Sequence, residues 1–293
     1  MNEIASKSRI SKGISIIDEG FIRNRSANFH LSVQVGTDGL QHSVFDIKNN
    51  RYIALEAFTF QGIHNPTALA DAVHELVSQN TVLGNIFKSV QVGIVNERST
   101  LIPNALFEKG KEQDYLGFNH FLAKEDMVHV YDLKSIEAKN IFSIPVEVFN
   151  AFRKHFPNAK FNHHSSPLLE GVLNAYKNQA EKKIFVHVQL SHFEIVVLQG
   201  KDLLFYNSFR HQASEDFIYY LLYVCEQLKL NPENTELILL GEVERNSAIY
   251  SIIYKYVRNI KFGTRNEMYG YGHGFTTLAP HFHYSLLNQY LCV

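Results

Sequence analysis

Apolar and polar residues alternate from Phe29 to Val35, FHLSVQV. That is the period of a strand whose successive side chains point to opposite faces. Gly36-Thr-Asp-Gly39 interrupts the run, and alternation resumes over Leu40 to Ile47, with Leu40, His42, Val44 and Asp46 on one face. Lys48 to Arg51 reads as a turn and Tyr52 to Phe60 as a third strand. Three strands with short turns predict an antiparallel meander. The period then lengthens. Leu69, Val73, Leu76 and Val77 form one stripe of a helix that opens at Pro66, with Asn65 suited to its N-cap.

Strands are expected next at Lys88 to Val95, Met127 to Asp132 and Ile141 to Ile144, with a short helical insertion across Leu101 to Leu122. A helix from Pro145 through Phe156, a short strand at Asn158 to Asn162, and a helix from Leu168 to Gln179 capped by Ser165-Ser166-Pro167 follow. The pattern then starts again. Lys183 to Leu190, Phe193 to Leu198 and Leu203 to Phe209 form a second meander, with Gly200-Lys-Asp202 as one turn. Phe217, Leu221, Val224 and Leu228 mark a helix over Ser214 to Leu228. A buried strand (Thr235 to Gly241), a helix (Ser247 to Tyr256), a strand (Ile260 to Phe262) and a helical tail (His281 to Leu291) complete the reading.

The two meanders align residue by residue. Val33-Gln34-Val35 matches Val186-His187-Val188, and Val44 and Val197 each stand ten residues after Gln34 and His187. Two copies of strand-strand-strand-helix about 150 residues apart predict an internal duplication. The division is then an N-terminal arm or edge strand (1–28), a first half (29–165) with an insertion around 88–140, and a second half (166–293). Ile14 to Ile22 suits an edge strand of the first sheet or an arm on another subunit.

Composition narrows the classes of function. The chain has 28 Lys plus Arg against 29 Asp plus Glu, a net charge of -1. A protein that grips nucleic acid by bulk charge needs a basic surplus. Cys225 and Cys292 are too far apart for a disulfide framework or a zinc knuckle. No apolar run approaches the roughly 20 residues that span a bilayer, and Met1 to Arg25 lacks a signal-peptide core. A soluble cytoplasmic protein is expected.

Two similar halves, each opening with a three-stranded meander, resemble the actin, Hsp70 and sugar-kinase fold. The similarity is greatest to the actin-like proteins of pilus assembly and type II secretion, whose first half closes with strand, helix, short strand and helix. Asn140 to Phe156, Ala159 to Asn162 and Leu168 to Tyr176 match that order. Glu236 to Glu242, ELILLGE, is similar to the strand and turn that carry the adenosine-binding glycines. The chain is also similar to a Bacteroidetes family with an actin-like ATPase fold. The implied class is α/β: duplicated actin-like (ribonuclease H-like) halves with a cleft between them.

The resemblance implies ATP in that cleft, hairpin turns around its phosphates, and a carboxylate at the end of each half's first strand to hold magnesium through water. Here those two positions carry Gln34 and His187. Neither supplies the hard anionic oxygen that Mg²⁺ prefers. Gly36, Thr37, Asp38 and Gly39 form the first phosphate-type turn, although Asp-Gly is foremost a hairpin signal. In the second half Gln189 replaces a glycine. Leu190-Ser191-His192-Phe193 stands where small residues belong, and is expected to crowd the γ-phosphate. The glycine pair of the adenosine turn has become Gly241-Glu242. These residues are read as an eroded nucleotide cleft, with ATP and magnesium disfavoured and no catalytic residue assigned.

Fifteen histidines invite a metal reading. However, His163, His164, His187, His192, His211, His273, His281 and His283 show no ligand spacing such as His-Glu-x-x-His, and no metal site is expected. Tyr269 to Gly274, YGYGHG, reads as a mobile or tightly turned loop, and Cys225 as a buried structural thiol. No phosphate-binding Walker loop and no nucleophile elbow occurs. The expected function is a non-catalytic adaptor or scaffold that binds a protein partner, without nucleic acid or membrane insertion. The alternative is a divergent ATPase or small-molecule kinase that uses Asp38 and Glu194 as replacement carboxylates, or a nucleotide sensor that holds its ligand in the same cleft without hydrolysis.

Overall fold

The computed structural model describes residues 9–19, 21 and 28–293. The parts of the N-terminal reading at 1–8, 20 and 22–27 lie outside the described residues. Chain order begins β1 (Ile10–Ile17), β2 (Phe29–Gly36), β3 (Gly39–Asp46), β4 (Arg51–Phe60), α1 (Pro66–Gln79) and β5 (Ser89–Ile94). Asn65 caps α1 by accepting from Ala68 N at 2.9 Å. An inserted sheet of β6 (Ser99–Pro103), β7 (Asp126–Asp132) and β8 (Ala138–Pro145) carries the one-turn helix α2 (Glu112–Gly117). The chain then returns through α3 (Val146–His155), β9 (Lys160–His163) and α4 (Ser165–Tyr176). β5 belongs to the core sheet, where it pairs parallel with β2, so the inserted strands begin only at Ser99.

The second half repeats this order without the inserted sheet. β10 (Lys182–Val188), β11 (His192–Gln199) and β12 (Asp202–Arg210) form the meander. They are followed by α5 (Ser214–Gln227), β13 (Glu236–Gly241), α6 (Ala248–Tyr256) and β14 (Ile260–Phe262). The first sheet runs β1-β4-β3-β2-β5-β9 and the second β12-β11-β10-β13-β14. With β1 set aside the two orders are the same: three antiparallel strands, then two parallel ones reached through helices. The duplication read from the sequence is therefore a duplication of topology.

The central strands are apolar on both faces because each sheet is covered on both. β2 is buried along its whole length, as expected where parallel neighbours force helices onto the faces. On one side, α1 and α3 seal the first sheet through Val73, Leu76, Val148 and Phe152, while α5 and α6 seal the second through Phe217, Leu221 and Ile253. The opposite faces are covered by an exchange. α4 ends the first half yet packs Leu168, Leu169, Val172 and Leu173 on Phe185, Val196, Ile238 and Leu240 of the second sheet. The C-terminal tail ends the second half yet packs Phe275, Leu278, Leu286 and Leu287 on Phe45, Tyr52 and Leu55 of the first. Fully burying each such side chain contributes about 1.5–3 kcal/mol, so separating the halves would cost both layers.

The tail departs from the continuous helix expected of it. Only α7 (Tyr284–Leu287) is helical, followed by a 3₁₀ turn at Gln289–Cys292. His283 enters α7 with φ 53°, a left-handed conformation rare for a residue with a side chain. The alternating glycines form no free loop. Gly270 and Tyr271 make β15 (Gly270–Tyr271), which pairs parallel with Arg51 and Tyr52 of β4. A Cβ on Gly272 would stand 2.4 Å from Asp18 Oδ2.

The edge strand β1 is anchored by charge. Glu56 of β4 is 1% exposed, and its carboxylate meets Lys12 Nζ at 2.6 Å, Ser15 Oγ at 2.7 Å, Asn80 Nδ2 at 2.8 Å and His42 Nε2 at 3.2 Å. Burial opposes ionisation, but His42, Asn80, Lys12 and Ser15 outweigh it and hold the carboxyl well below its ordinary value of 4.5. The folded state binds this proton more weakly than the unfolded one. The contribution is therefore full above about pH 4.5 and declines as pH falls below it. We predict that Glu56→Gln lowers stability by about 1–3 kcal/mol at pH 7, and that the gap to the parent protein narrows below about pH 4.5. Urea melts of both proteins across pH check this, and a gap that widens in acid would contradict it.

Candidate functional site

A cleft of about 1090 Å³ opens between the two sheets, at the ends of β2 and β10. The hairpin tips β2–β3 and β10–β11 face each other across it. Gly36, Thr37, Asp38, Gly39, Gln189, Ser191 and Glu242 all line it, as does Gln34. His187 and Gly241 lie just behind this wall, His187 being 3% exposed. The residues read as a nucleotide cleft are therefore gathered at one place from both halves.

The details revise parts of the sequence reading. Thr37 and Asp38 form the first turn, between the paired Gly36 and Gly39. Gly39 is needed for a close approach, since a Cβ there would stand 2.2 Å from Phe58 O. Phe193 does not crowd the cleft. Its direction along β11 turns it into the second core, where its ring centroid lies 4.2 Å from that of Phe217. Gln189, Leu190, Ser191 and His192 form the wall instead. Ser191 Oγ donates to Asp38 Oδ2, so the two tips touch. Arg210 and Glu97 form a second bridge across the opening, at 2.8 Å. The charged lining is of mixed sign, with Arg98 and Arg210 against Asp38, Glu97, Glu242 and Glu244.

Gln34 is engaged by the protein itself. His283 Nδ1–H donates to Gln41 Oε1 (2.5 Å), Gln41 Nε2 to Gln34 Oε1 (3.1 Å), Gln34 Nε2 to Ser285 Oγ (2.9 Å), and Ser285 Oγ to His164 O (2.7 Å). This directed chain joins the tail, β3, β2 and the link between β9 and α4. Burial, with the Arg265 and His187 charges adding to it, lowers His283 to about 4, so its ring is neutral near pH 7.

The second half has the corresponding pair one strand across. Gln34 pairs with Gln41 between β2 and β3, and His187 pairs with Glu194 between β10 and β11. Glu194 is fully buried. Its Oε2 meets His187 Nδ1 at 2.8 Å, and its Oε1 contacts His164 Nε2 and lies 3.8 Å from His192 Nε2. Burial raises the cost of ionising Glu194, but the charges of His164 and His187 outweigh it and hold the carboxyl well below the usual carboxylate range. Burial lowers His192 to about 4, against the opposing pull of Glu194. Beside them His163 is held neutral by burial, with Nε2–H donating to Asn96 O at 2.8 Å.

At the turn after β13, Gly241 has φ 79°, and a Cβ would stand 2.1 Å from Val188 O. The Gly241 N–H donates to His281 O at 2.8 Å and the Glu242 N–H to Val188 O at 2.8 Å. Glu242 is exposed and lines the cleft. Four participants escaped the sequence reading as members of a site: His164, Gln41, His283 and Ser285. The seven-residue spacing of Gln34 to Gln41 and of His187 to Glu194 was a usable signal once the hairpin register was known. Nothing in the sequence links Ser285 to Gln34, 251 positions away.

This arrangement defines the class as an actin-like ATPase fold of two related halves around a cleft. The chain belongs to the family described as "Protein of unknown function (DUF3822)", which it matches over residues 18–260. Among solved structures it is similar to a Bacteroides thetaiotaomicron protein with actin-like ATPase fold and unknown function. That pair shares 26% identity over 83% of this chain and 94% of the other, with a TM-score of 0.76. It is similar in fold to the PilM-PilN type IV pilus biogenesis complex, at 12% identity over 90% of this chain and 98% of that one, with a TM-score of 0.60. No curated protein matches the chain. Among the described residues no helix is long and apolar enough to cross a membrane.

The hydrogen-bond chain makes a specific prediction. Gln34→Glu restores a carboxylate of nearly the same shape but removes the N–H that Ser285 accepts. A buried acceptor left facing an acceptor costs about 1–3 kcal/mol. The variant should therefore unfold at lower urea than the parent at pH 7. A gain in stability would show that Gln34 is not held in this chain.

Proposed function

We propose that the protein is a non-catalytic member of the actin-like fold, an adaptor or scaffold that binds a protein partner in the cytoplasm. The observation that carries this reading is the engagement of Gln34 and His187. Magnesium held through water needs a free, hard, anionic oxygen at those places. Gln34 is neutral and bonded to Gln41 and Ser285, while His187 is bonded to Glu194. The residues present therefore do not fit a magnesium-triphosphate, and no hydrolytic step is derived for them. The contact between Ser191 and Asp38 further narrows the gap between the tips where phosphates would lie.

A protein partner is the alternative source of affinity for such a frame. The PilM-PilN complex has this fold and is an assembly of two proteins, which supports the reading by analogy. Among the described residues β12 is an unpaired edge of the second sheet, half-buried to exposed along its length, and an extended segment can add to such an edge through main-chain hydrogen bonds. The open volume of about 1090 Å³ favours a second reading, a nucleotide sensor whose halves close on a ligand without hydrolysing it.

Thermal melts with ATP and ADP, with and without Mg²⁺, separate the readings. A ligand of the folded state at a hundredfold excess over Kd adds about 2.7 kcal/mol of stability. The adaptor reading predicts no shift at millimolar nucleotide and no phosphate release. A shift without turnover would favour the sensor. A shift that needs Mg²⁺, accompanied by turnover, would overturn the non-catalytic assignment.

A further inference from the structure

We propose that His164, His192 and Glu194 form a binding site for a divalent transition-metal ion of the zinc class, placed where the two halves are joined. This goes beyond the adaptor reading and does not depend on it. His164 lies in the link between β9 and α4, whereas His192 and Glu194 stand on β11 of the second sheet. The ion would therefore tie the link between β9 and α4 to the second sheet.

Geometry is the first argument. His164 Nε2, His192 Nε2 and Glu194 Oε1 all lie within 4.8 Å of one another. The two Nε2 atoms are 3.4 Å apart and His192 Nε2 is 3.8 Å from Oε1. Tetrahedral ligands at about 2.0–2.2 Å from a metal are separated by roughly 3.3–3.6 Å. His164 Nε2 and Glu194 Oε1 are in direct contact, so these two donors part by about 1 Å when all three enter one coordination sphere.

The second argument is the placement of protons. His164 Nδ1 lies 3.2 Å from Ile94 O. A carbonyl only accepts, so Nδ1 carries the hydrogen. Nε2 is then the ring atom turned toward Glu194 Oε1 and His192 Nε2. Glu194 Oε1 is buried and has no hydrogen-bond partner among the described residues. A metal ion at this point would meet one donor atom from each of the three side chains. The Nδ1–H bond to a backbone carbonyl is also how proteins commonly orient a ligating histidine.

The supporting shell and the access route fit the same role. His187 Nδ1 holds the other oxygen of Glu194 at 2.8 Å and fixes the carboxylate plane. Two imidazoles and one carboxylate suit zinc, cobalt, nickel or ferrous iron, whereas magnesium and calcium favour all-oxygen sets. His192 borders the cleft, so a fourth ligand, water or an oxygen of a bound partner, can reach the ion from solvent.

Cobalt(II) is the probe, because its visible ligand-field absorption reports coordination directly. Chelator-treated full-length protein should bind one equivalent of Co²⁺, develop that absorption, gain melting temperature, and release the cobalt when Zn²⁺ is added. His192 is only partly buried, so His192→Ala should fold like the parent without metal and bind Co²⁺ roughly 100-fold more weakly. Glu194→Gln should lose the absorption as well. If that buried variant does not fold, His192→Ala alone decides. His74→Ala controls for the separate His74–His155 pair, whose ring nitrogens lie 2.8 Å apart, and should leave binding intact. No stoichiometric binding, or binding undiminished by His192→Ala, would overturn the proposal.

Discussion

The junction between the two halves is governed by one constraint: every polar group at the ends of the central strands must find a partner out of water. An orphaned buried donor or acceptor costs about 1–3 kcal/mol, and several converge here. The chain meets much of the demand with its own side chains, although Gln91 Oε1, Asn162 Nδ2 and Oδ1, Glu194 Oε1 and Gln289 Oε1 are buried without a hydrogen-bond partner among the described residues. Gln289 Nε2 donates to Val33 O and Gln91 O, both at 3.0 Å, while Ser285 and His283 satisfy Gln34 and Gln41. His281 closes the turn after β13 through Gly241 N–H to His281 O, and its own Nε2–H donates to Val243 O at 2.7 Å. Bonding capacity that could face a ligand from two strand ends is taken up by residues 281–289.

That arrangement explains why the tail is not a regular helix. A continuous helix would direct polar side chains outward at intervals set by 3.6 residues per turn. The junction needs His281, His283, Ser285 and Gln289 to reach four different places. The backbone breaks accordingly, and His283 adopts its left-handed conformation at the break. Such a conformation costs about 1–3 kcal/mol and persists only where the surroundings enforce it. Here the enforcement is Gln41 on one side and α7 packed on the first sheet on the other. The exchange of α4 and the tail between the sheets couples this polar junction to the apolar layers, so neither half completes its core alone.

Much of the fold was legible in the sequence because its elements obey local periodicity. The paired meanders, the helix opening at Pro66 and the strand Glu236–Gly241 all follow from alternation, capping and apolar runs within a few residues of their observed limits. The duplicated topology followed once Val33-Gln34-Val35 was set on Val186-His187-Val188. What escaped was long-range. The seating of Gly270-Tyr271 beside β4, the return of residues 275–287 to the first sheet and the contact of His164 with Glu194 each join segments far apart in sequence. Phe193 was misplaced for a related reason. The strand was recognised, but its facing depends on a hairpin register that a one-residue shift reverses.

Register also accounts for the electrostatic character of the site. The resemblance implies a carboxylate on the first strand of the second half, aimed at the cleft. Here that position is His187, and the carboxylate is Glu194, directly opposite on the neighbouring strand. Moving the charge across one register step changes what it can do. Glu194 is fully buried and surrounded by imidazoles, so its negative charge faces His164 and His187 rather than the phosphate-binding position between the hairpin tips. A buried carboxylate is tolerated only when opposite charge and directed donors offset its desolvation. Two histidines on adjacent elements supply that compensation, with a third within 3.8 Å. Exchanging His187 for Asp would set a second carboxylate beside Glu194 without compensation. Recreating an ATPase-like residue there would require Glu194 to be replaced at the same time.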